Sequence, residues 1–259
     1  MPKTLSFSFQ QLVKWPRFPV DADKYARGVV GVMTGSGRSP GAAVLSVLGA
    51  LNAGAGFVRY CGTPAATPAL LVRAPSVTVG PGRVGAWVAG CGWDEAETQA
   101  NQERWQQVTS SGVPVVVDAG ALPLALDGVP AGSLLTPHAG ELARLLGVPR
   151  ADVAAAPHEC ALEAARRCGA VVLLKGHRQF VAVPAGPVTE IQAGSPWLAR
   201  AGSGDVLAGV AGTLLAQTGD PETAGLLAAG LQAWVSTQTV GPYPPDRLAE
   251  CLPEFVGRL

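Results

Sequence analysis

The sequence predicts an α/β fold with a mostly parallel sheet and an antiparallel hairpin at one edge. First, short β-branched runs alternate with longer Ala/Leu-rich stretches, as in parallel strands joined by covering helices. Second, after Lys175 the alternation gives way to two strand-like runs around a Pro-Ala-Gly turn. Third, the 259 residues are 48% hydrophobic and only 15% charged, which suffices to bury one large core.

The alternation assigns each element in chain order. Strands are predicted over residues 28–33, 56–60, 76–79, 86–89, 113–118, 133–136 and 170–175, where β-branched residues concentrate. Helices are predicted over residues 41–53, 95–110, 141–146, 158–168, 205–217 and 221–237. The hairpin strands are residues 178–183 and 187–192. No internal repeat or linker is found, so we expect an N-terminal extension over residues 1–20 and a single domain over residues 21–259.

Charge and composition narrow the classes of partner. Lys plus Arg and Asp plus Glu number 19 each, and no basic run occurs, so we expect no nucleic-acid or membrane partner. A small-molecule partner fits better. The first 20 residues lack the apolar run of a signal peptide, and no later stretch is long enough to span a membrane, which predicts a cytoplasmic protein.

Cysteines and histidines do not form a metal-binding pattern. The five cysteines are widely spaced without a CxxC pair and are interpreted as reduced thiols. The three histidines have no metal-ligand spacing. We therefore predict no structural zinc and no metal-ligating residues.

Chemistry in open α/β sheets is expected just after the strands, because ligands bind at their carboxyl ends. The first such segment is Thr34-Gly35-Ser36-Gly37-Arg38-Ser39-Pro40-Gly41. Its glycine spacing is one residue too long for a dinucleotide-binding GxGxxG motif. A turn leading into a tightly packed helix explains it equally well.

Two further segments combine a strand end with polar residues. Leu135-Thr136-Pro137-His138-Ala139-Gly140-Glu141 predicts a helix capped by Thr136, with His138 pointing into the crevice; a structural histidine is the alternative. Val171-Val172-Leu173-Leu174-Lys175-Gly176-His177-Arg178-Gln179 ends an apolar strand on donors suited to a phosphate; a solvated loop is the alternative.

The fourth segment carries the most weight. Ala201-Gly202-Ser203-Gly204-Asp205 precedes a strongly apolar helix. Two glycines leave backbone amides uncovered at a helix N-terminus, which favours anion binding. Asp205 in the first turn could act as a base beside that anion, whereas a purely capping aspartate would not require both glycines.

These segments together carry a family resemblance. Gly-Ser-Gly-Asp resembles the GxGD signature of ribokinase-like kinases, and with Thr136-Pro137-His138-Ala139-Gly140-Glu141, Asp118-Ala119-Gly120-Ala121-Leu122 and Leu174-Lys175-Gly176 it is similar to the ADP-dependent NAD(P)H-hydrate dehydratases. The resemblance spans about residues 21–235. It implies a three-layer α/β/α ribokinase-like fold.

The resemblance implies a role for each matched residue. Asp205 would be the catalytic base, and the amides of Gly202, Ser203 and Gly204 the anion hole. Hydrated nicotinamide nucleotide would contact Ala42, Gly90, Gly92, His138 and Asp205. The adenosine nucleotide would contact Lys175, Gly176, His177, Arg178, Gln179 and Gly204.

The same resemblance implies partners. ADP would donate a phosphoryl group to the hydroxyl of hydrated NADH or NADPH, with Mg²⁺ bridging the phosphates, and a separate NAD(P)HX epimerase would supply the substrate epimer. A homo-oligomer, a tetramer, is expected. A vitamin-precursor kinase or a non-catalytic nucleotide binder are the alternative functions; the TPHxGE segment argues against the first and the intact Gly-Ser-Gly-Asp against the second.

The chain departs from the family pattern at four places. Ala201-Gly202-Ser203-Gly204-Asp205 stands for the commoner Gly-Gly-Thr-Gly-Asp and keeps both glycines. Ala89-Gly90-Cys91-Gly92-Trp93 stands where Gly-Pro-Gly-Leu-Gly is common, Ile191 stands in place of an asparagine, and Leu231-Gln232-Ala233 replaces a frequent His-Gly pair. If its thiol lines the pocket, Cys91 would make activity sensitive to oxidation.

Overall fold

The computed structural model describes residues 4–239 and 241–259, which form three layers around one ten-stranded sheet. The strands are β1 (Thr4–Phe7), β2 (Val29–Met33), β3 (Phe57–Tyr60), β4 (Thr78–Val79), β5 (Ala86–Ala89), β6 (Val115–Val117), β7 (Leu134–Leu135), β8 (Val171–Leu174), β9 (Gln179–Ala182) and β10 (Val188–Ile191). Their order is β1-β10-β9-β8-β7-β6-β5-β2-β3-β4. Among these strands only β9 runs antiparallel to its neighbours.

Helices cover both faces of the sheet. They are α1 (Pro40–Asn52), α2 (Thr67–Arg73), α3 (Glu95–Ala100), α4 (Gln102–Ser110), α5 (Ala139–Leu146), α6 (Arg150–Ala155), α7 (Pro157–Cys168), α8 (Ser203–Thr218), α9 (Pro221–Gln238) and α10 (Pro245–Val256). Buried side chains of α1, α2, α8, α9 and α10 form the core on one face. Those of α4, α5, α6 and α7 form the core on the other. The predicted mostly parallel sheet, antiparallel hairpin and three-layer architecture are confirmed. The hairpin is not at the edge as predicted, because β1 pairs with β10 outside it.

The N-terminal segment is part of the domain. We predicted an extension over residues 1–20, of which residues 1–3 lie outside the described residues. The structure places β1 parallel to β10 as an edge strand of the sheet. Leu12 and Trp15, which follow in and after a short 3₁₀ helix, are buried in the core.

Other differences have local causes. The helix predicted over residues 95–110 is interrupted at Asn101, whose side-chain amide donates to the Glu97 carbonyl and competes with the helical pattern. Sequence analysis missed α2, α6 and α10, each of which begins at or beside a proline. Proline is tolerated in the first turn of a helix, where its missing N–H has no partner to lose.

The sheet topology places a crevice at one point of its carboxyl edge. The chain runs outward from β2 through β3 to β4, then returns to the other side of β2 with β5 and continues through β6, β7 and β8. Ligands of such sheets bind where the strand order reverses. The loops after β2 and β5 meet there, since the Gly35 N–H donates to the Cys91 carbonyl at 2.8 Å.

Helices α1 and α8 pack with their backbones in contact. A Cβ placed on Gly49 would lie 2.2 Å from the Val206 carbonyl oxygen, and one on Gly209 would lie 2.0 Å from the Ser46 carbonyl oxygen. Only glycine permits this approach. The Thr213 hydroxyl joins the two helices by donating to the Ala50 carbonyl at 2.9 Å. The N-terminus of α8 is therefore fixed against the crevice.

No helix in the described part of the chain combines the length and apolar character needed to cross a bilayer.

Candidate active site

The N-terminus of α8 faces a cavity of about 600 Å³. Gly202 caps the helix in the left-handed conformation, with φ of 95°. The N–H of Ser203 donates to the Arg200 carbonyl at 3.3 Å, and its hydroxyl donates to the Leu198 and Arg200 carbonyls. Within the described residues the amides of Gly204 and Asp205 have no acceptor. These two amides, at the positive end of the helix dipole, are available to an anion.

Asp205 lies in the first turn of α8, beside residues that follow three strands: Cys91 after β5, Asp118 after β6 and Lys175 after β8. Its carboxylate, the Asp118 carboxylate and the Cys91 sulfur all lie within 4.8 Å of one another. Burial, then the negative charge of Asp118, raises the pKa of Asp205 to about 7, and Lys175 partly opposes this. A carboxylate with this pKa can exchange a proton near neutral pH.

Lys175 follows β8 and brings a positive charge to the anion site. Its Nζ lies 2.5 Å from Asp118 Oδ1, and it would lie 3.1 Å from a Cβ placed on Gly204. Burial alone would lower the pKa of Lys175, but attraction by Asp118 and Glu141 outweighs it and raises that pKa. The ammonium group therefore stays charged beside the free amides.

His138 forms the N-cap of α5, in place of the Thr136 cap that sequence analysis assigned. Its Nδ1 accepts from the amides of Gly140 at 3.0 Å and Glu141 at 3.1 Å, and the Glu141 carboxylate accepts from the His138 N–H at 2.7 Å. Because Nδ1 accepts two hydrogen bonds, Nε2 carries the ring proton, and Nε2 lies 3.5 Å from Glu141 Oε1. Thr136 is buried, and its hydroxyl donates to Asp118 Oδ1 at 3.0 Å.

Most predicted site residues line this one cavity. They are His138, Lys175, Gly176, His177, Gln179, Gly202, Ser203, Gly204 and Asp205. Arg178 does not line it, because its guanidinium makes a bidentate pair with Glu190 on the hairpin at 2.7 and 2.8 Å. The structure therefore places the Arg178 side chain in a surface ion pair and not in the cavity with the other residues predicted to contact the nucleotide.

Gly90 and Gly92 lie in the loop after β5, and Ala42 lies in the first turn of α1. None of these three predicted substrate contacts lines the cavity. Gly90 has a φ of 101°, and a Cβ there would lie 2.1 Å from the Asp118 carbonyl oxygen. Gly92 has a φ of 73°, and a Cβ there would lie 2.5 Å from Ala42 Cβ. Both glycines allow the loop after β5 to pack against its neighbours, which brings Cys91 beside Asp205.

Cys91 is fully buried, and this opposes the oxidation hypothesis. Burial, followed by the charges of Asp118 and Asp205, raises the pKa of the thiol well above its usual value. A protonated and inaccessible thiol is a poor nucleophile toward oxidants. The thiol instead donates to Asp118 Oδ2 at 3.5 Å.

The grouped donors of Cys91, Asp118 and Asp205 do not suit a resident magnesium ion. Mg²⁺ prefers six oxygen ligands in octahedral geometry. A protonated thiol is not such a ligand, and Asp118 Oδ1 is already neutralised by Lys175. A magnesium ion in this site would have to be bound mainly by the phosphates of a ligand.

The sequence model of the family described as NAD(P)H-hydrate dehydratase matches residues 30–253. The chain belongs to this family.

Individual members agree with this family assignment. A bifunctional NAD(P)H-hydrate repair enzyme of Mycobacterium tuberculosis is 44% identical over 216 residues, covering 78% of the chain and 44% of that protein. An ADP-dependent (S)-NAD(P)H-hydrate dehydratase of Xanthomonas campestris is 35% identical over 226 residues, covering 79% of the chain and 78% of that protein. The chain thus spans less than half the length of the bifunctional relative.

A solved member of the NAD(P)H-hydrate dehydratase family has the same fold throughout. The ADP/ATP-dependent dehydratase of Bacillus subtilis, co-crystallised with ATP and Mg²⁺, superposes with a TM-score of 0.88 at 27% identity, covering 99% of each chain. The ribokinase-like fold predicted from the sequence is confirmed.

The sequence analysis assigned no role to two residues that line the cavity, Gln232 and Asp118. Gln232 on α9 donates to the Ser203 carbonyl at 2.8 Å, so the departure from His-Gly at this place supplies a contact that supports the α8 turn. Asp118 was recognised only as part of a motif. Its signal was available, because it is a charged residue directly after the buried Val-Val-Val strand β6.

Proposed function

We propose that this chain dehydrates hydrated NADH and NADPH, with ADP as phosphoryl donor. The observation that carries the proposal is the pairing of Asp205, whose pKa is raised to about 7, with free amides at the same helix N-terminus. A base and an anion hole in one helical turn can act together in a phosphoryl transfer. The base removes the proton of the attacking hydroxyl, and the amides stabilise the charge on the transferring group. The substrate is inferred from the family and from the activities of its members.

The chemistry divides into two steps. Asp205 takes the proton of the ring hydroxyl as its oxygen attacks the β-phosphorus of ADP, and AMP leaves as the phosphoanhydride bond breaks. The new carbon–oxygen–phosphorus ester then loses phosphate, as the carbon–oxygen bond breaks and the neighbouring carbon gives up a proton. The reduced nicotinamide ring is regenerated, so ADP and the hydrate become AMP, phosphate and NAD(P)H.

The protein stabilises charge at the transferring group. The Lys175 ammonium lies beside the free amides of Gly204 and Asp205. Preorganised donors of this kind stabilise the transition state more than the ground state. His138 Nε2–H would orient the hydrated ring, and Lys175, Gly176, His177 and Gln179 would form the wall beside the nucleotide. Arg178 contributes at most through the hairpin.

Magnesium is proposed as a partner of the nucleotide. When bound to its phosphates, the ion would neutralise negative charge that the amides and Lys175 do not reach. Because the side chains alone form no magnesium site, metal affinity should depend on nucleotide. Titration of the protein with Mg²⁺ should therefore show weak binding alone and tighter binding with ADP.

The test is recovery of the near-ultraviolet absorbance of the reduced nicotinamide after the protein is mixed with chemically hydrated NADH, Mg²⁺ and either ADP or ATP. Recovery that requires nucleotide and is absent in Asp205→Asn would support the proposal and identify the donor. Folded protein that binds ADP but gives no recovery would contradict it. Appearance of a stable phosphorylated hydrate would favour a kinase that stops after the first step.

The remaining predicted partners belong to this proposal. A separate NAD(P)HX epimerase would convert the unreactive epimer, so recovery of an epimeric mixture should be faster when one is added. A homotetramer in the cytoplasm is also proposed. Sedimentation at micromolar concentration would distinguish a tetramer from a monomer.

A further inference from the structure

Asp118 has an unusual environment for a residue with no assigned role. Its side chain is 3% exposed, yet it is charged and lies at the carboxyl end of the central strand β6. Three donors surround it: Lys175 Nζ at 2.5 Å and Thr136 Oγ1 at 3.0 Å on Oδ1, and Cys91 Sγ at 3.5 Å on Oδ2. A buried ion pair usually contributes little to stability, because desolvation offsets the attraction.

The Asp118–Lys175 ion pair lies next to the proposed reaction centre. The partner of Asp118 is the ammonium that would lie 3.1 Å from a Cβ on Gly204, and a Cβ there would lie 3.9 Å from Asp118 Oδ2. The same carboxylate is within 4.8 Å of the Asp205 carboxylate. Asp118 thus contacts the cation at the anion hole and also acts on the base by charge.

We propose that Asp118 is a positioning residue that holds Lys175 at the mouth of the anion hole and keeps it from pairing with Asp205. Without Asp118, the ammonium would be left with Glu141 and Asp205 as its carboxylate neighbours. Pairing with Asp205 would weaken both the anion hole and the base. Cys91 completes the arrangement, because its S–H group occupies Asp118 Oδ2 and contacts Asp205. The inference rests on the proposed function.

The proposal predicts different pH effects for two variants. Asp205 faces Asp118, Lys175, Cys91 and Glu141, and Glu141 in turn contacts His138. The Asp118 charge raises the pKa of Asp205, so Asp118→Asn should move the acidic limb of kcat/KM to lower pH. Cys91 donates its one proton to Asp118 and leaves the Asp118 charge in place, so Cys91→Ala should not move the limb to lower pH. A purely structural role would reduce activity equally at all pH values.

A double-mutant cycle on ADP affinity tests the route through Lys175. By calorimetry, we expect Asp118→Asn and Lys175→Gln each to weaken ADP binding by about 10-fold, the range for a charge-assisted contact. The double variant should bind no more weakly than Lys175→Gln alone. Losses that multiply, or unchanged affinity in Asp118→Asn, would overturn the proposal.

The outcomes separate this inference from the proposed function. If the unmodified chain fails to dehydrate the hydrate, the proposed function fails, but the ADP cycle still decides the role of Asp118. If Asp118→Asn does not fold, Thr136→Val removes one hydrogen bond to Asp118 without changing charge. That variant should weaken ADP binding about threefold, as expected for loss of one hydrogen bond, and unchanged affinity there would also overturn the proposal.

Discussion

The chain contains two Gly-Ser-Gly turns, each leading into a helix, and the two helices pack together. In the first turn, Ser39 is the N-cap of α1, followed by Pro40, Gly41 and Ala42. In the second, Gly202 is the N-cap of α8, followed by Ser203, Gly204 and Asp205. Position by position, the carboxylate of the second turn corresponds to the methyl group of Ala42 in the first.

The two turns use their hydrogen bonds differently. In the first turn the Ser36 hydroxyl accepts from the Ser39 N–H at 2.9 Å, the Gly35 N–H donates to Cys91, and proline removes one further donor. In the second, the Gly204 and Asp205 amides have no acceptor within the described residues. The Gly41 amide of the first turn also has no acceptor within the described residues. What distinguishes the second turn is the charged Lys175 and Asp205 beside its free amides, which we propose as the anion site.

The largest expected effect comes from removing the carboxylate of the second turn. Asp205→Asn should reduce turnover on the order of a thousandfold, because general-base catalysis contributes about 10² to 10⁴. ADP affinity should be retained. Steady-state kinetics and calorimetry measure the two, and Asp127→Asn, at an exposed carboxylate, is the control. Equal losses in turnover and ADP affinity would place Asp205 in binding instead.

A matched pair of alanines compares the second helical position of each turn. A Cβ on Gly204 would meet Lys175 Nζ at 3.1 Å and cover the free amides, whereas a Cβ on Gly41 meets nothing within 4 Å. Gly204→Ala should lower kcat/KM with ADP by roughly 10- to 100-fold, the range for a lost anion-hole contact. Gly41→Ala should leave it within about twofold and stabilise α1 by up to about 1 kcal/mol. Similar kinetics in both variants would remove the distinction between the turns.

Replacing the left-handed glycine with alanine should lower stability by a similar amount in both turns, but should weaken ADP binding in only one of them. Gly35 has a φ of 82° and Gly202 a φ of 95°, and a Cβ would lie 2.9 Å from Ala43 Cβ or 2.6 Å from Leu45 Cδ1, respectively. Each alanine variant should lower the free energy of unfolding by roughly 1 to 3 kcal/mol. Only Gly202→Ala should also weaken ADP binding. Denaturant unfolding beside calorimetry would show whether the effects separate.

A smaller effect than the loss of turnover is a pH dependence of stability. The raised pKa of Asp205, about 7, means that the native state binds a proton between about pH 4 and 7 that the unfolded chain has released. This contribution is present at low pH and lost as pH rises through 7. Asp205→Asn should therefore be more stable than the unmodified chain at about pH 8, by on the order of 2 kcal/mol, with the difference shrinking toward pH 4. Parallel unfolding curves at both pH values would contradict it.

Sequence patterns predicted the sheet well because buried parallel strands are short and β-branched. Those patterns also located Lys175, a charged residue directly after a buried strand, and Asp205, which follows two glycines at the start of a strongly apolar helix. They could not predict that Lys175 pairs with Asp118, because residues 57 positions apart meet only in the folded sheet. For the same reason they could not separate the free amides of Gly204 from the bonded amide of Ser203, or place Arg178 on Glu190.

The backbone contact between α1 and α8 also has a consequence for hydrogen exchange. Gly209, one turn beyond Asp205, lies so close to α1 that a Cβ there would lie 2.0 Å from the Ser46 carbonyl oxygen. Amide hydrogens there can exchange only when the two helices separate, which requires opening the core on that face of the sheet. Their exchange should report the global free energy of unfolding, while the amides of Gly204 and Asp205, one turn earlier, should exchange freely in the chain without nucleotide.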